Sequence, residues 1–432
     1  VSPETDRADR TASVVSHLAR GFLIALAPLI VGFHVPIAHM TGTSLWPWRP
    51  NMEDLAVYRE AAHRLLSGEF LYVTGVEFPY IYPPFAALLS VPLGAIPAVA
   101  ASAVWVIVTV VSLLVVLHRL GLTGWKLSLA GTLTILFTTP FQQVLVLGQL
   151  GVVIMAAIVV ELVPGPRLLD KIRLPRLLPT GAWTGVMTGI KLTPGLFLVA
   201  LAWAGRWRIA ITGAVATLAT MVIGFIAAPR SSWHYWSQLT RGDSGSNPDA
   251  NGWLFNQSIL SLVHRMFGFG TAALAGGLLV CLLVAVWTAW LGRGLWQRGE
   301  QLMAIVVLGL GSTLVNPIAW NHHLVWFVPL AVALLRPGTW PVLRWVGLAW
   351  CGWAAFTPWS ALPQTPGAFI EVGYSAFQLL VSGLTAILGV VVLVLAADGL
   401  RRPVSPSADG GDSPDSSRQH PTDQATDVPV VS

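Results

Sequence analysis

The sequence predicts an all-α polytopic membrane protein, and three observations carry that reading. Of 432 residues, 54% are hydrophobic and only 10% charged, against about 25% charged in an ordinary soluble domain. Mean hydropathy is +0.68, because long apolar runs recur from about residue 20 to residue 400. Lys and Arg fall in short clusters between those runs, where they act as topology signals. The net charge of +5 is therefore no nucleic-acid footprint. The 20 Trp and 16 Phe fit interfacial belts and packed helices.

Residues 1–20 carry Arg7, Arg10 and Arg20 ahead of the first apolar run, which places this segment in the cytoplasm. The run at 21–40 shows no clear small-residue cleavage site and reads as a retained helix. Segment 41–82 is then the first outer loop. Within it Asp54, Val57, Tyr58, Ala61, Ala62, Leu65 and Leu66 recur at helical spacing. Residues 52–67 thus read as an amphipathic helix on the membrane surface, stopped by Gly68. Residues 83–117 make one net crossing whose first part is oblique or re-entrant, before His118, Arg119 and Lys126.

Residues 127–146 cross outward and 148–163 return, to the basic cluster Arg167, Lys171, Arg173 and Arg176. Residues 181–192 and 194–204 are two short apolar halves, a hairpin broken at Lys191 and Pro194. Residues 210–228 cross again to a second outer loop, 229–258, and 259–269 reads as another surface helix. The runs 271–291, 301–315, 324–335, 341–357 and 372–396 alternate down to Arg401 and Arg402. The expectation is about 12 helices in a domain spanning 21–400, with both termini inside. Residues 401–432, rich in Ser, Pro, Asp and Gly, read as a disordered cytoplasmic tail. Cys281 and Cys351 lie within apolar runs and read as small buried residues, neither metal ligands nor a disulfide.

On this topology the inner loops hold mainly Arg and Lys, while the chemically versatile residues face outward. Asp54 is the candidate base: a sugar hydroxyl attacking an activated anomeric carbon must lose its proton, and a carboxylate in reach can take it. A carboxylate near a helix N-terminus is also what the helix dipole favours. Glu53 precedes it and points to another helix face. Lys191 sits between two apolar halves, where an ionisable group is costly and marks a functional position or a side chain snorkelling to the interface. His322 and His323 lie near the outer start of a helix, as phosphate or sugar contacts or as an interfacial polar pair. They are no zinc site, since HExxH and Cys partners are missing. Gln149 and Asn256 read as ligand contacts, helix caps or interhelical hydrogen bonds. No Walker A loop and no GxGxxG after a strand are present, so an activated donor must already reside in the membrane.

The segments DLAVY at 54–58, YIYPPFAALLSVPL at 80–93, GQ at 148–149, IKLTP at 190–194, NQS at 256–258 and NPIAWNHH at 316–323 resemble, in order, glycosyltransferase family 87. The resemblance implies a GT-C-type bundle with an acidic general base in the first outer loop, a position that Asp54 matches. It implies inverting transfer of mannose from a polyprenyl-phosphate mannose to a glycolipid acceptor, with no obligatory metal or other cofactor. The family role nearest to hand is α-1,2 elongation of phosphatidylinositol mannosides, with α-1,2 branching of lipomannan and lipoarabinomannan second. On the same footing Asp54 and His322 become catalytic candidates, and Glu53, Tyr58, Tyr82, Gln149, Lys191, Asn256 and His323 donor or acceptor contacts. The expected partners are the lipid-linked donor, the glycolipid acceptor and membrane lipids, and the expected location is the plasma membrane with the site facing outward. A polyprenyl-lipid transporter or flippase is the competing class, but such proteins place charges between repeated halves, and no repeat is visible here.

Overall fold

A computed structural model describes residues 3–38, 43–73, 75–76, 78–166, 178–241, 248–364 and 374–401. Among these the regular secondary structure is all helix, apart from one isolated bridge between Ser44 and Arg49. The basic cluster Arg167, Lys171, Arg173 and Arg176, residues 242–247 of the second loop, residues 365–373 and the tail from 402 lie outside the described residues.

Helix α1 (Pro3–Ala38) contains the first apolar stretch, Ala19–Ala38. Helix α2 (Glu53–Leu66) follows and ends at Ser67, with Gly68 at φ +70°. Two short helices, α3 (Pro84–Leu89) and α4 (Val91–Gly94), precede α5 (Ala98–Arg119). Only α5 in this stretch is long enough to cross a membrane, so the oblique first part expected for 83–117 is a pair of helical turns.

The outward run expected at 127–146 is not one helix. It is α6 (Gly124–Phe137) and α7 (Thr139–Leu147), bent by 79°. Pro140 lies in the first turn of α7 and lacks the N–H that a continuous helix would need. The Gln142 side chain donates to the freed Leu136 carbonyl at 2.6 Å. Helix α8 (Gly151–Leu162) carries Glu161 within apolar sequence, and the next helix explains it. The Glu161 carboxylate accepts the backbone N–H groups of Gly181, Trp183 and Thr184 and the Thr184 hydroxyl, at 2.6–3.0 Å. It thereby satisfies the N-terminus of α9 (Ala182–Ile190).

Lys191 is extended (φ −147°, ψ 126°) and separates α9 from α10 (Gly195–Trp203), as the KLTPG sequence predicts. Helix α11 (Trp207–Ala227) packs on α9 through Gly185 and Gly189, whose missing side chains let the two backbones approach. On its far side Ile211, Val215, Leu218, Val222 and Ile226 form an exposed apolar stripe, the surface a lipid environment accepts. Helix α12 (Pro229–Thr240) replaces the first half of the irregular second loop expected at 229–258. Then come α13 (Ile259–Phe267), α14 (Thr271–Gln297), α15 (Gln301–Val315), a 3-10 turn at Asn321–Trp326, α16 (Phe327–Leu334), α17 (Pro341–Phe356) and α18 (Ala376–Gly399). Helix α15 is buried nearly end to end and is wrapped by α14, α8, α10, α16 and α18.

The protein is thus all-α and polytopic. Among the described residues five helices are long and apolar enough to span a membrane, or six if the bent α6–α7 pair is one crossing. The shorter apolar helices Gly151–Leu162, Gln301–Val315 and Asn321–Leu334 account for part of the larger expected number. Cys281 and Cys351 are buried and unpaired with each other.

One expectation needs correction. The apolar stripe of α2, formed by Leu55, Tyr58, Ala61 and Ala62, meets protein rather than lipid. It packs on α3, α4 and α7, and Arg59 anchors it by donating to the Leu93 and Ile96 carbonyls at 3.0 and 2.8 Å. The closest approach is at Gly148, which follows α7 with φ +77°. A Cβ there would lie 2.6 Å from the Leu55 Cβ. Gly148→Ala therefore combines a left-handed backbone with a clash, a cost of about 1–3 kcal/mol. The expected result is a lower melting temperature in detergent together with reduced activity; a wild-type melting temperature would refute the constraint.

Candidate active site

Asp54 projects from the first turn of α2, where no side chain caps the helix and the two acids Glu53 and Asp54 supply negative charge. Its Oδ2 accepts a hydrogen bond from Gln149 Nε2 at 2.5 Å. A carboxylate can only accept, so this contact fixes the amide orientation and turns Gln149 Oε1 towards Tyr58. The Tyr58 hydroxyl donates to Gln149 Oε1 at 3.3 Å or to the Tyr82 hydroxyl at 3.2 Å. The Tyr58 and Tyr82 rings meet edge-on, with centroids 5.4 Å apart.

Lys191 also meets Tyr82. Its Nζ lies 5.8 Å from the Tyr82 ring centroid, within cation–π range, and 2.6 Å from His323 Nε2. His323 Nδ1 accepts the Trp320 backbone N–H at 3.0 Å, which fixes the ring plane. The His322 ring packs against that of His323, with centroids 4.4 Å apart at 69°. Both ring nitrogens of His322 and both amide atoms of Asn321 are buried without a hydrogen-bond partner among the described residues. Such atoms are costly unless something polar meets them.

Of the nine residues singled out in the sequence, the fold links seven: Asp54, Gln149, Tyr58, Tyr82, Lys191, His323 and His322 form one continuous chain of contacts. Glu53 adjoins Asp54 and acts on it through its charge. Asn256 does not belong to the cluster. It is fully buried, its Nδ2 donates to the Ala250 and Pro317 carbonyls, and its Oδ1 accepts from the Ser258 and Ala319 N–H groups. With both ends of the amide spent on backbone, it clamps the segment before α13 to the segment after α15 and has nothing left for a ligand.

Burial pushes the Asp54 carboxyl up to about 6. The Gln149 hydrogen bond and then the Lys191 charge pull it back, and Glu53 adds a push upward. Burial also raises the Tyr58 and Tyr82 phenols, so both keep their protons near neutral pH. Among the described residues no group of three or more His, Cys, Asp or Glu is placed to hold a metal ion.

Two residues that the sequence reading passed over belong to the surroundings of this cluster. Tyr72 donates to the Tyr82 carbonyl at 2.9 Å, and Tyr235 of α12 stacks on Tyr72 with centroids 5.9 Å apart. The available signal was scarcity: the chain has 6 Tyr against 20 Trp, so tyrosines gathered in two loops are not a general interfacial belt.

A helical membrane bundle holding a buried carboxylate, a lysine and paired imidazoles in one polar cluster is the build of an integral-membrane group-transfer enzyme. Comparison with known proteins gives the family: residues 80–317 match glycosyltransferase family 87, more than half of the chain, and the protein belongs to that family. It is 28% identical over 393 residues to the polyprenol-phosphate-mannose-dependent alpha-(1-2)-phosphatidylinositol mannoside mannosyltransferase of Mycobacterium tuberculosis, covering 82% of this chain and 87% of that one. It is 30% identical over 344 residues to the corresponding phosphatidylinositol pentamannoside mannosyltransferase of the same species, covering 72% and 76%. A pentamannoside enzyme of Mycolicibacterium smegmatis is 28% identical over 355 residues, covering 77% and 82%. No solved structure matches the chain at a significant level.

The Asp54 environment has a consequence for stability. Its carboxyl rises from 3.8 to about 6 on folding, so the folded state binds the proton more tightly. That contribution is complete below the lower value and is lost as pH rises through the upper one. At neutral pH the ionised side chain costs on the order of 1–3 kcal/mol. Asp54→Asn should raise the melting temperature near neutral pH, with the difference shrinking towards pH 4. An unchanged or lower value at neutral pH would show that the carboxylate is not held at such a cost.

Proposed function

We propose that the protein transfers mannose from a polyprenyl-phosphate mannose to a phosphatidylinositol mannoside, forming an α-1,2 linkage at the extracytoplasmic face of the plasma membrane. The observation that carries this reading is the chain of contacts that joins the Asp54 carboxylate, through Gln149, Tyr58 and Tyr82, to the Lys191 side chain. The matched relatives are named for the same donor and the same class of acceptor. The basic clusters of the sequence support the outward orientation.

In the proposed reaction Asp54 takes the proton of the acceptor hydroxyl as its oxygen attacks the anomeric carbon. The bond from that carbon to the phosphate oxygen breaks, the electron pair leaves with the polyprenyl phosphate, and the anomeric configuration inverts. Lys191 meets the charge growing on the departing phosphate, and His322 and His323 bound the same space. Gln149 holds the carboxylate in position, and Tyr58 holds Gln149. A base of pKa about 6 is ionised at neutral pH yet more basic than an exposed aspartate.

The direct test is incubation of the purified protein with radiolabelled polyprenyl-phosphate mannose and a panel of phosphatidylinositol mannosides, followed by linkage analysis. Label in an α-1,2-linked product is expected; no transfer from this donor would end the reading. Asp54→Asn should lower kcat by a factor of about 10²–10⁴ while the protein remains folded. kcat/KM of the wild type should fall on the acid side with a midpoint near the Asp54 value, since protonation removes the base. Lys191→Met should raise the donor KM by about tenfold or more and leave the acceptor KM within about twofold. Equal effects on both substrates would remove the lysine from the donor side.

A further inference from the structure

Five of the six tyrosines in the chain lie ring to ring in one wall. It begins at Tyr58 beside the Gln149–Asp54 pair and runs through Tyr82, Tyr80 and Tyr72 to Tyr235, with successive centroids 5.4–5.9 Å apart. His234 packs on Tyr72 at 5.5 Å and Trp236 stands edge-on to Tyr235 at 5.0 Å. The two segments are also tied through backbone, since the Leu71 N–H donates to Ser231 Oγ at 3.2 Å.

The hydroxyls along this wall are not equivalent. Those of Tyr72 and Tyr80 are spent on the carbonyls of Tyr82 and Pro83, each at 2.9 Å, and that of Tyr58 on Gln149 or Tyr82. At the far end the Tyr235 hydroxyl, the His234 ring nitrogens and the Trp236 indole N–H make no hydrogen bond to a described residue, and all three side chains are half-buried. The near end is locked, while the far end presents partly open ring faces bordered by free polar tips.

That combination suits a hexopyranose, whose C–H face stacks on an aromatic ring while its hydroxyls seek donors and acceptors at the rim. We propose that Tyr72, His234, Tyr235 and Trp236 form the acceptor subsite, taking the terminal hexose of a glycolipid headgroup, with the donor phosphate at Lys191. This rests on the transferase reading above and adds where the acceptor sugar lies. The alternative for the same residues is an interfacial anchor that touches no substrate.

The test uses the full chain in lipid nanodiscs, with acceptor titrated at saturating donor and donor titrated at saturating acceptor. Tyr235→Ala should raise the acceptor KM by about tenfold and His234→Ala by about threefold, with the donor KM within about twofold. Tyr235→Phe keeps the ring and loses only the hydroxyl, so it should raise the acceptor KM by about threefold at an unchanged melting temperature. An unchanged acceptor KM in both Tyr235→Phe and His234→Ala overturns the subsite, as does an equal rise in both KM values. Binding of a dimannosyl glycolipid without donor, followed by saturation-transfer NMR, separates the two claims. Mannose signals lost in Tyr235→Ala support the subsite even where no turnover occurs; signals that persist overturn it.

Discussion

The polar cluster exists because α2 can press against the end of α7. Gly148 is what allows that contact, being in a left-handed conformation with the Leu55 side chain where its own Cβ would be. The next residue, Gln149, is thereby delivered to Asp54 from 95 positions away in the chain. Small residues repeat the device two turns further along the same face of α2, where Ala62 meets Gly94. A helix that sequence periodicity would float on lipid is instead fastened to the bundle at two points along its apolar face, and a fastened helix can hold a carboxylate at a fixed distance from its partners.

The breaks in the helices gather around the same place. Lys191 lies in the gap between α9 and α10, Gln149 follows the end of α7 at Gly148, and His322 and His323 belong to the 3-10 turn that packs on α7 and α8. Irregular backbone at membrane depth is tolerated where protein or a polar cavity covers it. Each break exchanges helical hydrogen bonds for the exposure of a useful group: the lysine ammonium, the Gln149 amide, the imidazoles. The freed backbone groups that can be traced are met by side chains, as at Gln142 with Leu136 and Glu161 with the start of α9. Asn256 does the same for two loop segments, which is why a residue that looks like a ligand contact proves to be a clamp.

What the sequence revealed, and what it hid, follows from the range of the interactions. The KLTPG break, the amphipathic α2 and its stop at Gly68 are local, set by proline, glycine and helical period, and all were legible. The 79° bend had a local signal in Pro140, overridden in reading by the length of the mostly apolar stretch 127–146. Periodicity shows that Leu55, Tyr58, Ala61 and Ala62 share a face but not what covers it, so lipid was expected where protein stands. The Lys191–His323 contact spans 132 residues and the Leu71–Ser231 tie spans 160. Such pairings are set by the packing of whole helices, and no window of sequence contains them. The tyrosine wall was missed for the same reason, since Tyr72 and Tyr235 acquire a joint meaning only when α12 lies beside the first loop.

The balance at Asp54 explains why the cluster has this composition. A carboxylate exposed to water would be a weak base, and one buried alone would be protonated at neutral pH and accept nothing. Burial raises Asp54, and the Gln149 hydrogen bond and the Lys191 charge oppose that rise, leaving a carboxyl near 6. In the proposed reaction the same lysine attracts the phosphate of the donor. As that phosphate neutralises the ammonium, the carboxyl loses part of the charge that was holding it down, and its proton affinity increases as the acceptor is to be deprotonated. Donor binding and basicity are thus coupled through one cation. The coupling requires Lys191 to be near enough to act on Asp54 without pairing with it: its charge lowers the carboxyl while its Nζ lies over the Tyr82 ring and beside His323.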